Sequence, residues 1–111
     1  MNMDLNKTQF IGKLEDDPRV TVHPTNGKKQ AFFNLLVKHR VQGANGQFVD
    51  HITTVPFYAS DKIAEAVGNH LKKSQEVYIE AYYRNWYLDN VKHHGMIVLN
   101  TSFGYRPREQ N

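Results

Sequence analysis

The sequence predicts an all-β chain with one helix, wound as a small Greek-key barrel. Three observations carry this expectation. Runs rich in β-branched and aromatic residues, many alternating with period two, recur along the chain between clusters of turn residues. One amphipathic stretch with a spacing of four interrupts them ahead of the last two runs. The chain has 111 residues, 40% hydrophobic and 12% aromatic. That fills one core and leaves too little for two.

Residues 5–14, LNKTQFIGKL, read as a strand whose Gly12 marks a bend or bulge, a device common at barrel corners. EDDP at 15–18 is a turn, and RVTVH at 19–23 alternates as a short strand. PTNG at 24–27 is a hairpin turn in which Asn26-Gly27 supplies positive φ. The run 29–40 is a longer strand. Ala31, Phe33, Leu35 and Val37 share one face, and Gln30, Phe32, Asn34, Leu36, Lys38 and Arg40 share the other. Phe32 and Leu36 on that second face call for a cover, such as a partner subunit. QGANGQ at 42–47 is a flexible loop. FVDHITTVPFY at 48–58 is a strand in which Pro56 belongs at an end or an edge.

Ser60 or Asp61 caps the helix, which carries Ile63, Val67 and Leu71 along one stripe. Lys72 and Lys73 complement the negative end of its dipole. The run 75–88 is a strand with Val77, Ile79, Ala81 and Tyr83 facing one way and Tyr78, Glu80, Tyr82, Arg84 and Trp86 the other. A turn region at 89–95 precedes a last strand, GMIVLNTSFGY. With the short 19–23 segment counted into its hairpin, there are five strands and a helix between the third and fourth. That is the order of the OB-fold, a five-stranded Greek-key barrel. A sandwich fragment or another small barrel has a similar strand pattern. The domain is expected over residues 1–105, followed by a short basic and polar end at 106–111.

Composition excludes several function classes. With no cysteine there is no disulfide, no thiolate zinc site and no cysteine nucleophile, which suits a reducing cytoplasm. The first residues hold no apolar run of the signal-peptide kind, and no stretch approaches the roughly 20 apolar residues of a membrane helix. The six histidines form no helical zinc pair, and His93 and His94, being adjacent, would point oppositely in a strand. No G-x-S-x-G elbow surrounds Ser60 and no phosphate-cradling glycine loop is present. No catalytic residue, metal ligand or cofactor site is therefore expected. The net charge of +3 favours an anionic partner without demanding one.

The informative feature is the outward row Tyr82, Arg84, Trp86. Large rings on an exposed strand face need a cover. Nucleic-acid bases provide one by stacking, with Arg84 meeting a phosphate or a base. A loop or another subunit would cover the same face, as in a barrel that binds only protein. Phe48, His51, Phe57 and Tyr58 on the preceding strand extend the platform, but strict alternation puts Phe48 and Phe57 on opposite faces, so one of the two belongs to the core. Lys7, Lys13, Lys38, Arg40, Lys62, Lys72 and Lys73 are candidates to track a phosphate backbone.

NKTQFIGKL at Asn6 to Leu14, then Asp17-Pro18, HPTNG, AFFNLLVKHR and LKKSQEVYIEA at Leu71 to Ala81, in that order, resemble the bacterial single-stranded DNA-binding proteins over about residues 5–105. The resemblance implies an OB-fold that binds single-stranded DNA by stacking and phosphate contacts. It also implies a homo-oligomer, dimer or tetramer, acting in the cytoplasm on nucleoid DNA. By position it implies stacking aromatics near Phe57 and Trp86, and at His51 where the family often has Trp. Trp86 falls about two residues earlier than the usual aromatic, and the 41–50 loop is short and has no basic residue. The sequence ends in Arg106-Pro107-Arg108-Glu109-Gln110-Asn111 without the family's acidic tip, so docking of partners through such a tip is not expected. A primosomal replication protein of the B type, which binds single strands and helicase-loading partners, is the alternative within the same resemblance.

Overall fold

In the computed structural model, residues 4–103 are described. The expected basic end at 106–111 and the expected domain boundary at 105 lie outside them. Six strands and one helix follow in the order β1 (Thr8–Leu14), β2 (Arg19–Val22), β3 (Lys29–Gln42), β4 (Phe48–Ser60), α1 (Asp61–His70), β5 (Glu76–Leu88) and β6 (Val91–Phe103). Five of the strands close a ring. β1 pairs with β5, β5 with β6, β6 with β4, β4 with β3, and β3 returns to β1. All of these pairings are antiparallel except β4 with β6, which run parallel at Phe57↔Met96 and Tyr58↔Ile97. With α1 between β4 and β5, this is the OB topology predicted from element order. The sixth strand, β2, is the short segment of the first hairpin, laid along β3 from Arg19↔Phe32 to Val22↔Lys29.

The ring closes where Gly12 sits. β1 pairs with β5 as far as Lys13↔Glu76 and passes to β3 at Lys13↔Leu36 and Leu14↔Leu35. A Cβ at Gly12 would stand 2.5 Å from the Leu36 carbonyl oxygen, so no other residue fits without moving backbone. The glycine therefore serves close approach at a corner. Among the described residues the register shift lies elsewhere, between Glu80 and Ala81 in the pairing of β5 with β6.

Leu14, Leu35, Val67, Val77 and Ile79 fill the barrel, with Phe33 and Phe57 stacked beside them at 5.4 Å between ring centroids. Helix α1 packs Ala64 and Val67 into the core, and Leu71 follows at its end. Ser60 is the N-cap residue, but neither its hydroxyl nor any other side chain caps the helix. Inward alternation holds for Ala31, Phe33, Leu35, Val77, Ile79 and Ala81, all buried. It fails at Tyr83, which has the inward parity but is 45% exposed, because β5 has by then passed the filled part of the barrel.

Two hairpins reach beyond that core. The β3–β4 ribbon runs from Gln30↔Ser60 to Gln42↔Phe48 and is closed by a compact turn. In that turn the Gly43 N–H donates to the Gln47 carbonyl at 2.7 Å, and Gly46 takes φ +84. The β5–β6 hairpin turns on Asp89-Asn90 alone, at φ 50 and 64, with Leu88 paired to Val91. This is the twist-matched two-residue turn. The expected 89–95 turn region is thus two residues long, and His93, His94 and Gly95 belong to β6. Among the described residues no helix is long and apolar enough to cross a membrane.

Candidate nucleic-acid interface

Because side chains alternate along each strand, the ring has an outer face shared by Phe32 of β3, Tyr58 of β4, Trp86 of β5 and His93 of β6. Phe32 and Tyr58 are cross-strand partners and meet edge to face, centroids 4.8 Å apart at 81°. Tyr58 reaches Trp86 at 5.9 Å. Trp86 lies nearly parallel to its own cross-strand partner His93, at 5.8 Å and 16°. Gly95, opposite Arg84, leaves the room over which the indole spreads toward Tyr58. At the other end the Arg19 guanidinium lies over Phe32, 5.8 Å from the ring centroid. The result is a row of four rings across the barrel, bounded by Arg19 and accompanied by Arg84.

The electrostatics fit the geometry. Partial burial among the rings raises the Tyr58 hydroxyl above its usual pKa, and the positive charge of Arg84 offsets part of that rise. The phenol therefore stays neutral at physiological pH, with no anionic oxygen to repel phosphate. Arg84 is exposed and has no ion-pair partner among those the described residues form.

The structure places Tyr82, Arg84 and Trp86 on one outer row of β5, as alternation predicts. It does not bring the other predicted residues there. Phe57 is 3% exposed, held between Phe33 and Phe10, so its ring faces the core and offers no surface to a base. This corrects the position implied by family resemblance; the outward ring is its neighbour Tyr58. Phe48 is exposed at the ribbon end, opposite Gln42, and His51 lies on the other face of the ribbon, its ring 5.1 Å from that of His39.

The cations are scattered. Lys7 is bound to Glu80, Nζ to Oε2 at 2.6 Å, a pairing that raises the Lys7 pKa and lowers that of Glu80. Arg40 faces Asp50 across the ribbon at 3.6 Å. Lys13 and Lys38 line a shallow groove with Ile11, Leu36 and Ile52. Lys62 lies at the start of α1 beside Lys28 and Lys29. Lys72 and Lys73 follow the helix, where their backbone N–H groups donate to Gln75 and Asp17.

Phe32, His93 and Arg19 joined the row without having been predicted for it. Patterning marks Phe32 only as apolar surface needing a cover, and the expected turn region at 89–95 hides His93.

Comparison with known proteins shows the family and the fold. The model of the single-strand binding protein family matches residues 5–94. Two single-stranded DNA-binding proteins, from Neisseria meningitidis serogroup A and serogroup B strains, are each 36% identical over 78 residues, 70% of this chain and 44% of theirs. The chain thus spans less than half the length of these curated relatives. Among solved structures, a deletion mutant of the single-stranded DNA binding protein from Thermus aquaticus superposes with a TM-score of 0.74 at 22% identity, over 88% of this chain and 49% of that one. A Plasmodium falciparum SSB in complex with ssDNA gives 0.69 at 20% identity, over 87% and 89%. A closed five-stranded barrel, a row of rings on its outer face and a family match across most of the sequence converge, and the chain belongs to the single-strand binding protein family.

Proposed function

We propose that the protein binds single-stranded DNA without sequence preference and coats it during replication, recombination or transfer. The observation that carries this reading is the outer row Tyr58–Trp86–His93 with Arg84 beside it. Every base has a π-face, so ring stacking holds a strand without reading its sequence, at about 1–3 kcal/mol per base. A duplex hides those faces and cannot use the row. The family match supports the same ligand.

The protein acts as an oligomer. Ile11 and Ile52 are more than half exposed beside half-buried Leu36, on the outer face where β1 leaves its pairing edge toward β3 largely open. A second copy would cover this surface. Sedimentation should give a dimer or tetramer, and a concentration-independent monomer would contradict it.

The binding test uses a labelled oligo-dT in fluorescence anisotropy. Saturable binding that weakens with salt, displaced by unlabelled single strands and not by duplex, is the expected result. Equal competition by duplex would overturn the reading.

A further inference from the structure

We propose that Phe32 and Tyr58 form a second base seat, distinct from the Trp86–His93 platform, and that Arg19 is its phosphate clamp. The inference rests on the proposed strand binding and adds to it a site that sequence patterning had assigned to covered apolar surface. The two seats differ in shape. Trp86 and His93 lie 16° from parallel as a stacked pair. Phe32 and Tyr58 stand at 81° and make a right-angled corner, in which a flat base stacks on one ring and abuts the other edge-on. Tyr58 touches both seats, so a strand that leaves Trp86 meets the corner next.

Arg19 is in place to close the corner. Its guanidinium rests over Phe32, an interaction that is weak at an exposed site. Arg19 and Phe32 are cross-strand partners in β2 and β3, so Arg19 can swing off the ring toward a phosphate without any change of backbone. The groove that holds both is also bordered by Asp16 and Asp17. A phosphate entering it meets one favourable charge at Arg19 and two unfavourable ones beyond. The strand's contact with the barrel therefore ends at this corner and does not continue over the β1–β2 turn.

Oligo-dT from about 4 to about 16 nucleotides, the range held by one OB barrel, tests this against wild type, Phe32→Leu and Arg19→Gln. For the longest oligomers Phe32→Leu should weaken binding about 5- to 150-fold, the equivalent of one lost stack. Arg19→Gln should lower the slope of log affinity against log salt by about one. The shortest oligomers, which the Trp86–His93 seat can hold alone, should lose less affinity in either variant than the longest do. Arg19→Gln alters an exposed side chain and leaves the ring in place, so it decides the matter even if Phe32→Leu fails to fold. An unchanged salt slope for long oligomers with Arg19→Gln overturns the second seat. No binding by wild type at any length overturns instead the strand-binding reading beneath it.

Discussion

The indole of Trp86 lies across the backbone of Gly95, its Cη2 3.6 Å from where a Cβ on that glycine would stand. A methyl there makes ordinary van der Waals contact, whereas a branched side chain needs the space the ring occupies. Gly95→Ala should therefore keep Trp86 on Tyr58 and keep DNA affinity. Gly95→Leu should tip the ring away, shift Trp emission to the red and weaken oligo-dT binding by about tenfold, within the value of one stacked base. Equal affinity for the two variants would show that the position of the indole does not matter.

Phe57 separates core from interface. It is 3% exposed between Phe33 and Phe10, so Phe57→Ala should destabilise the fold by about 3–5 kcal/mol. The fraction still folded should bind single strands normally. Chemical denaturation combined with binding at a low temperature reads both quantities. Loss of affinity at unchanged stability would put this ring back on the binding surface.

Asn6 ties the start of the chain to the arm that carries Arg84 and Trp86. Its side-chain amide donates to the Tyr83 carbonyl, and its Oδ1 accepts the Tyr83 N–H at 2.9 Å. These bonds extend the β1–β5 ladder past Thr8↔Ala81, where β1 itself has ended. Asn6→Ala should cost about 1–3 kcal/mol, two hydrogen bonds at roughly 0.5–1.5 each. Hydrogen exchange at the Tyr83 amide should accelerate, while amides of buried residues such as Ile79 change less.

The Lys7–Glu80 pair gives stability a defined pH window. Its hydrogen bond and charge attraction hold Glu80 below the usual carboxylate value and Lys7 above the usual lysine value. The folded state thus favours ionised Glu80, and that contribution is lost as pH falls through its lowered pKa. The folded state also favours protonated Lys7, and that contribution is lost as pH rises through its raised pKa. The pair is intact throughout the neutral range. Glu80→Gln should flatten the acid limb of stability against pH, measured as denaturation midpoints between pH 3 and 7. An acid limb identical to wild type would mean that the pair does not contribute.

Much of the barrel was legible because burial follows parity. Phe33 and Leu35 on one strand and Val77 and Ile79 on another fall inside by alternation, and they are buried. Gly12 announced a corner because only glycine lets β1 approach Leu36 so closely. The site was less legible, for physical reasons. Whether Tyr58 meets Phe32 depends on cross-strand register, which the compact turn at 43–47 sets and no single-strand pattern contains. Parity left Phe48 and Phe57 as alternatives, and only packing against Phe10 and Phe33 decides between them. His93 was hidden because Asp89-Asn90 turns the chain with two non-glycine residues at positive φ, which shortens the loop and puts residues 91–95 in β6. Lys7 reads as a free cation until Glu80, far away in sequence, is placed against it.

Trp86 is the chain's one tryptophan, so its fluorescence reports the central claim without a label. In a titration with oligo-dT at low salt, a base stacking on the indole should quench its emission to saturation. Raising the salt should reverse the quenching as phosphate contacts weaken, and the same concentration of duplex should leave emission unchanged. Emission unaltered by excess oligo-dT at low salt, with no shift of the same mixture on a native gel, would contradict the account.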